Sequence, residues 1–180
     1  MASSEIALFG GSFDPPHVGH LLAAAYVLAT EPVDELWFVP VLAHPLGKQL
    51  TGSYEHRVAL CEAMAAQLSR TRVSRAEQES GRTRTVDLLE WLREKNPGAA
   101  FALVLGTDLD AERAQWKQFD RIAQLARVVT VQRSGHGGSG VAIPAVSSTE
   151  VRALLKSGGD ASRLVPRAVL DAIRAEGSYR

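Results

Sequence analysis

The chain has one cysteine, no excess charge of either sign and no long apolar run, and each scarcity removes a class of function. Cys61 alone cannot form an internal disulfide or a thiolate metal cluster. With Val58, Ala65 and Leu68 it fits the apolar face of one helix, so it reads as a core thiol and not as a nucleophile. Twenty basic residues balance twenty acidic ones, which gives no reason to expect nucleic acid or an anionic membrane as the main partner. The longest apolar stretch, Leu21–Ala29, is far too short to span a bilayer, and the N-terminus lacks the charged and apolar regions of a signal peptide; a cytoplasmic location is expected. The first strand-to-helix turn carries no GxGxxG fingerprint and the pattern GxxxxGK[ST] is absent, which disfavours a nicotinamide oxidoreductase and a P-loop kinase.

What remains is an ordinary globular composition, 46% hydrophobic and 22% charged over 180 residues, which suits a single domain spanning 1–180. Strand-like runs at Ile6–Phe9, Leu36–Val41, Thr71–Ser74, Ala100–Leu105 and Val128–Gln132 alternate with helical patterns at His17–Thr30, Tyr54–Arg70, Val86–Lys95 and Leu109–Gln124. Alternation of this kind predicts an α/β fold, a Rossmann-like doubly wound parallel sheet with ligands at the carboxyl ends of its strands. Asn96-Pro97-Gly98 stops one helix before an apolar strand. The Gly-rich stretch 134–140 reads as a surface loop, with a lid as the alternative.

Gly10-Gly11-Ser12-Phe13-Asp14-Pro15-Pro16-His17-Val18-Gly19-His20 joins the first strand to a helix starting near Pro16 or His17. The glycines permit a tight turn, and the helix aims its unsatisfied N–H groups into it, a favourable place for an anion. His17 and His20 are three residues apart, so both imidazoles lie on one face and reach the same phosphate chain. A helix N-terminus opposes positive charge on them and bound phosphate favours it, so charge is expected only with substrate present. The segment resembles the signature of the nucleotidyltransferase superfamily.

A second anion-ready helix start stands at Val146-Ser147-Ser148-Thr149-Glu150-Val151-Arg152, where Ser147 as N-cap and Glu150 form a capping box ahead of Val151–Lys156. Ser148 and Thr149 offer hydroxyls, and Arg152 sits one turn on, able to fork onto a phosphate. Paired with the first motif, this segment resembles the ISSTxIR motif of nicotinate-nucleotide adenylyltransferases, with Val146 in place of isoleucine. Leu164-Val165-Pro166 through Ile173, Gly177 and Tyr179 also resembles that family's C-terminal helix.

The resemblance implies condensation of nicotinate mononucleotide with ATP to deamido-NAD and pyrophosphate, by in-line attack and without a covalent enzyme intermediate. It places His17 on the α-phosphate, His20 on the β- and γ-phosphates and Arg152 beside them as the catalytic set, with backbone amides of Gly10, Gly11, Ser12 and Phe13 assisting. Gly106-Thr107-Asp108 follows an apolar strand in the family's order, which offers Gly106 and Asp108 to ATP; Asp108 is a ribose acceptor or a plain turn residue. Arg133 resembles the family's Arg-x-Gly element and joins Ser148, Thr149 and Arg152 on the nucleotide side, with a surface arginine as the alternative. Trp116 either stacks on the pyridine ring or packs in the core. His44 and Lys48 retain the residues of the family's Pro-Pro-His-Lys segment at altered spacing.

Thr83-Arg84-Thr85 stands where the family shows Ser/Thr-Tyr-Thr, with Arg84 in place of the aromatic: the resemblance puts Arg84 and the matching Thr85 on the mononucleotide, Arg84 able to pair with the pyridine carboxylate, or Thr83 or Thr85 caps the next helix. Magnesium is expected to arrive with ATP, since no carboxylate or His/Cys cage beyond Asp14 and Asp108 is evident, and no structural metal is expected. Alternatives are a related nucleotidyltransferase acting on nicotinamide mononucleotide or phosphopantetheine, a cytidylyltransferase, or a non-catalytic nucleotide-binding regulator. Oligomeric state stays open.

Overall fold

In the computed structural model, which describes residues 4–43, 47, 49–107, 118–135 and 141–180, five strands build one sheet. They are β1 (Glu5–Gly11), β2 (Glu35–Pro40), β3 (Thr71–Val73), β4 (Ala100–Gly106) and β5 (Arg127–Val131). All neighbours pair in parallel, in the order β3-β2-β1-β4-β5. The helices are α1 (Val18–Thr30), α2 (Tyr54–Ala65), α3 (Ala76–Ser80), α4 (Thr85–Lys95), α5 (Phe119–Leu125), α6 (Ser148–Lys156) and α7 (Arg167–Glu176).

The two-residue period of the strands sorts their side chains into two cores. Ile6, Leu8, Trp37, Val39, Phe101, Leu103 and Leu105 pack with Ala76 of α3, Leu88, Leu89 and Leu92 of α4 and Ile122 of α5. On the other face Ala7, Phe38, Ala102, Val104, Val129 and Val131 meet α1, α2, α6 and α7, and Cys61 lies fully buried there among Leu60 and Met64. From β1 the chain proceeds to β2 on one side and reaches β4 on the other. A crevice therefore opens between the carboxyl ends of β1 and β4, where such sheets take their ligands.

The expected strands are all present. The helix predicted over Tyr54–Arg70 stops at Ala65, because residues 66–70 form turns. The Thr71 hydroxyl donates to the carbonyls of Ala65 and Leu68, at 2.7 and 2.8 Å. Arg70 adopts a left-handed φ of 62° and donates to the Leu28 and Val33 carbonyls. The short α3 was not expected. Of the helix predicted over Leu109–Gln124, only the part from Gln118, the N-cap of α5, lies within the described residues. None of the helices among the described residues is long and apolar enough to cross a membrane.

Candidate active site

The site begins where β1 ends. After Gly11, Phe13 takes a left-handed φ of 47° and buries its ring against Phe9, Phe38 and His20, with centroids 5.8, 5.8 and 4.8 Å away. Strain of this kind in a bulky residue persists only where packing over-determines it. Phe13 thus anchors the turn with its side chain and leaves only its backbone to the site.

His17 is the N-cap of α1, and its N–H donates to Nδ1 of His20 at 3.1 Å. With Nδ1 accepting, neutral His20 carries its hydrogen on Nε2, which becomes the donor. The two rings stack at 3.8 Å with 27° between planes. His17 is buried, and its Nδ1 has no hydrogen-bond partner among the described residues. The intervening glycine makes this possible: a Cβ on Gly19 would lie 3.0 Å from His17 Nδ1.

Burial and the nearby Arg133 charge push His17 down to about 3. Burial, His17 and Arg133 likewise hold His20 well below the ordinary histidine range. Both rings are therefore neutral at pH 7, through desolvation and a neighbouring cation more than through the helix dipole invoked from the sequence. Arg133 follows β5; its N–H donates to Thr107 Oγ1 at 3.0 Å, and Nη2 donates to the Val146 carbonyl at 2.5 Å. Gly10, Gly11, His17, His20, Gly106 and Arg133 line one cleft at the strand ends.

The second helix start meets the first. Ser147 caps α6 by accepting the Glu150 N–H at 3.1 Å. Ser148 Oγ donates to the Pro15 carbonyl at 2.9 Å, and Arg152 Nη1 donates to the Asp14 carbonyl at 2.5 Å while Nη2 meets Thr149 Oγ1 at 3.3 Å. Arg152 is thus held against the histidine turn.

Arg84 and Thr85 do not line the histidine cleft. Arg84, largely exposed, pairs with Asp87 at 2.6 Å and is itself the N-cap of α4, with no side-chain cap, so the alternative of Thr83 or Thr85 as cap fails. His44, Lys48, Asp108 and Trp116 lie outside the described residues.

Two residues that sequence reasoning passed over support the turn. The Asp14 carboxylate, noted only as a metal contact, accepts N–H groups of Thr51 and Gly52 at 2.6 and 2.8 Å and the Tyr179 hydroxyl at 2.8 Å. Both its oxygens are engaged within the protein, and no cluster of three or more metal-ligating side chains exists among the described residues. Arg57, 1% exposed, donates to the carbonyls of Ser12 and Val41 at 2.8 Å and of Gly52 at 3.2 Å. It shares a helical stripe with Cys61 and Met64, and a charge on an apolar stripe was the available signal.

The cytidylyltransferase-like family model matches residues 8–154. A protein of Myxococcus xanthus named probable nicotinate-nucleotide adenylyltransferase is 44% identical over 97% of this chain and 94% of its own length. A likewise named protein of Anaeromyxobacter sp. (strain K) is 45% identical, covering 98% and 97%. The chain belongs to the nicotinate-nucleotide adenylyltransferase family.

The fold agrees with that family. A Plasmodium falciparum nicotinic acid mononucleotide adenylyltransferase complexed with NaAD superposes with a TM-score of 0.83 at 21% identity, over 98% of this chain and 97% of that one. The crystal structure of "a Putative Nicotinate-nucleotide Adenylyltransferase from Vibrio parahaemolyticus" gives a TM-score of 0.74 at 25% identity, over 98% of this chain and 96% of that one. Within this adenylyltransferase family frame, the motifs at both ends of the chain converge on one turn.

Proposed function

We propose that the protein joins ATP to nicotinate mononucleotide, giving deamido-NAD and pyrophosphate. The observation that carries this reading is the pair of stacked, neutral imidazoles at a helix start, with Arg133 in the same cleft, in a chain of this family. In the reaction a phosphate oxygen of the mononucleotide forms a bond to the α-phosphorus of ATP in line with the departing oxygen. The bond from that phosphorus to the β-phosphate oxygen breaks, and the electron pair leaves with pyrophosphate.

Two polyanions must meet, so positioning and charge stabilisation are the main tasks. His17 faces the α-phosphate and His20, donating from Nε2, the β- and γ-phosphates. Arg133 and Arg152 supply fixed positive charge, and Ser148 and Thr149 stand at the start of α6 beside its free N–H groups. ATP enters as its magnesium complex, the cation offsetting part of the triphosphate charge. His44, Lys48, Arg84, Thr85 and Trp116 remain the proposed mononucleotide side, and Asp108 the proposed ribose contact.

The test is pyrophosphate release from ATP and magnesium with nicotinate mononucleotide, nicotinamide mononucleotide and phosphopantetheine offered separately, each product identified by mass. Strong preference for the acid mononucleotide is expected. Turnover only with another acceptor would move the substrate while keeping nucleotidyl transfer, and silence with all three would overturn the reading.

A further inference from the structure

The segment after α7 reaches back to the histidine turn in a way the transfer reaction does not by itself require. Gly177 ends α7 with φ 65°, and Tyr179 takes φ 61°, so two left-handed residues in close succession fold this segment inward. Glycine adopts that conformation freely, whereas tyrosine does so against steric resistance that surrounding contacts must offset. The contacts are specific. The Tyr179 ring is buried, 5.6 Å from the His56 ring, and its hydroxyl donates to Asp14 Oδ1 at 2.8 Å.

Gly52 makes room for the meeting: a Cβ there would lie 2.6 Å from the Tyr179 hydroxyl and 3.0 Å from Asp14 Oδ1. Asp14 is the residue whose carbonyl holds Arg152, and its Oδ2 lies 3.9 Å from the same guanidinium. A continuous chain of contacts therefore runs from the Tyr179 hydroxyl through the carboxylate and backbone of Asp14, three residues before His17, to Arg152.

We propose that Tyr179 is a positioning residue that, through Asp14, sets where Arg152 and the histidine turn meet the triphosphate. This rests on the reading of Arg152 and the histidines as triphosphate ligands. The hydroxyl stays protonated at all working pH, because burial and the Asp14 bond raise it far above the ordinary tyrosine range. It therefore acts as a constant donor and not as a switch. Losing it leaves Asp14 with its two backbone donors, so the turn stays closed but loses one of its restraints.

The test is a double-mutant cycle between Tyr179→Phe and Arg152→Ala, read both as kcat and KM of pyrophosphate release and as ATP affinity by calorimetry, well below each variant's melting temperature. Tyr179→Phe removes one oxygen and keeps the ring; Leu170→Ala, buried in α7 and making no hydrogen bond to Asp14 or Arg152 through its apolar side chain, serves as the control for lost stability alone. The expected result is a roughly tenfold loss in kcat/KM and weaker ATP binding for Tyr179→Phe, largely absent when Arg152 is already alanine, with Leu170→Ala near wild type in both readouts. Equal losses in both Arg152 backgrounds, wild-type kinetics for Tyr179→Phe, or an Arg152→Ala variant without effect would each overturn the proposal. Should the wild-type protein bind ATP without transferring it, the reading of the reaction fails while the affinity cycle still decides the role of Tyr179.

Discussion

At Gly19 helix propensity and site geometry pull in opposite directions. Gly19 is the second residue of α1, where alanine gains at most the about 1 kcal/mol it holds over glycine in a helix interior, and its Cβ would press on His17 Nδ1 at 3.0 Å. Gly19→Ala is expected to keep the fold while turnover falls at least tenfold; a variant with unchanged turnover would show that the His17 ring position does not matter. The neutrality of the two imidazoles has its own consequence. Bound phosphate raises their proton affinity, so ATP binding near pH 6 should take up protons. Calorimetry in buffers of different ionisation enthalpy reads that uptake directly, and a heat independent of buffer would contradict it.

The start of α6 separates two roles that neighbouring serines share in sequence. Ser147 satisfies the helix through its cap, whereas Ser148 bonds the Pro15 carbonyl of the other motif. Ser147→Ala is expected to lower stability by about 1 kcal/mol, and Ser148→Ala to raise the KM for ATP with a smaller stability loss. Urea titration and initial rates distinguish them; equal KM changes would assign the effect to the helix start as a whole. Elements with strong periodicity and an explicit stop, such as α4 before Asn96-Pro97-Gly98, were legible in the sequence, as was the cap of α6. The end of α2 was not, because residues 66–70 contain no glycine or proline, and the turn is held by the Thr71 hydroxyl and the Arg70 guanidinium reaching distant carbonyls. Both histidines could be read from their spacing. Asp14 and Tyr179 could not be joined, since 165 residues separate them and only the fold brings the hydroxyl to the carboxylate.

For the whole molecule, buried ionisable groups of opposite type shape stability against pH. Burial pushes Glu77 up to about 7, although the Leu42 N–H and the Arg57 charge work against it. Between its ordinary value of 4.5 and 7 the folded chain then holds the extra proton, and stability falls as pH rises. His17 works the other way: from about 3 to 6.5 the unfolded chain holds the proton, so stability rises with pH and is lost on acidification. Each group contributes at most about 1.4 kcal/mol per pH unit, and the two oppose each other in the overlap. Glu77→Gln should steepen the rise up to about 6.5 and remove the decline just above it. Urea midpoints across pH 5 to 8 check this, and an unaltered profile would refute a protonated Glu77. The Ser148–Pro15 and Arg152–Asp14 bonds span 133 and 138 residues. During synthesis, then, the first motif leaves the ribosome long before its partner exists, and a nascent chain ending short of α6 has the histidines, Arg57 and Arg133 but neither Ser148 nor Arg152, so the part of the nucleotide's binding energy that α6 supplies reaches folding only once most of the polypeptide has emerged.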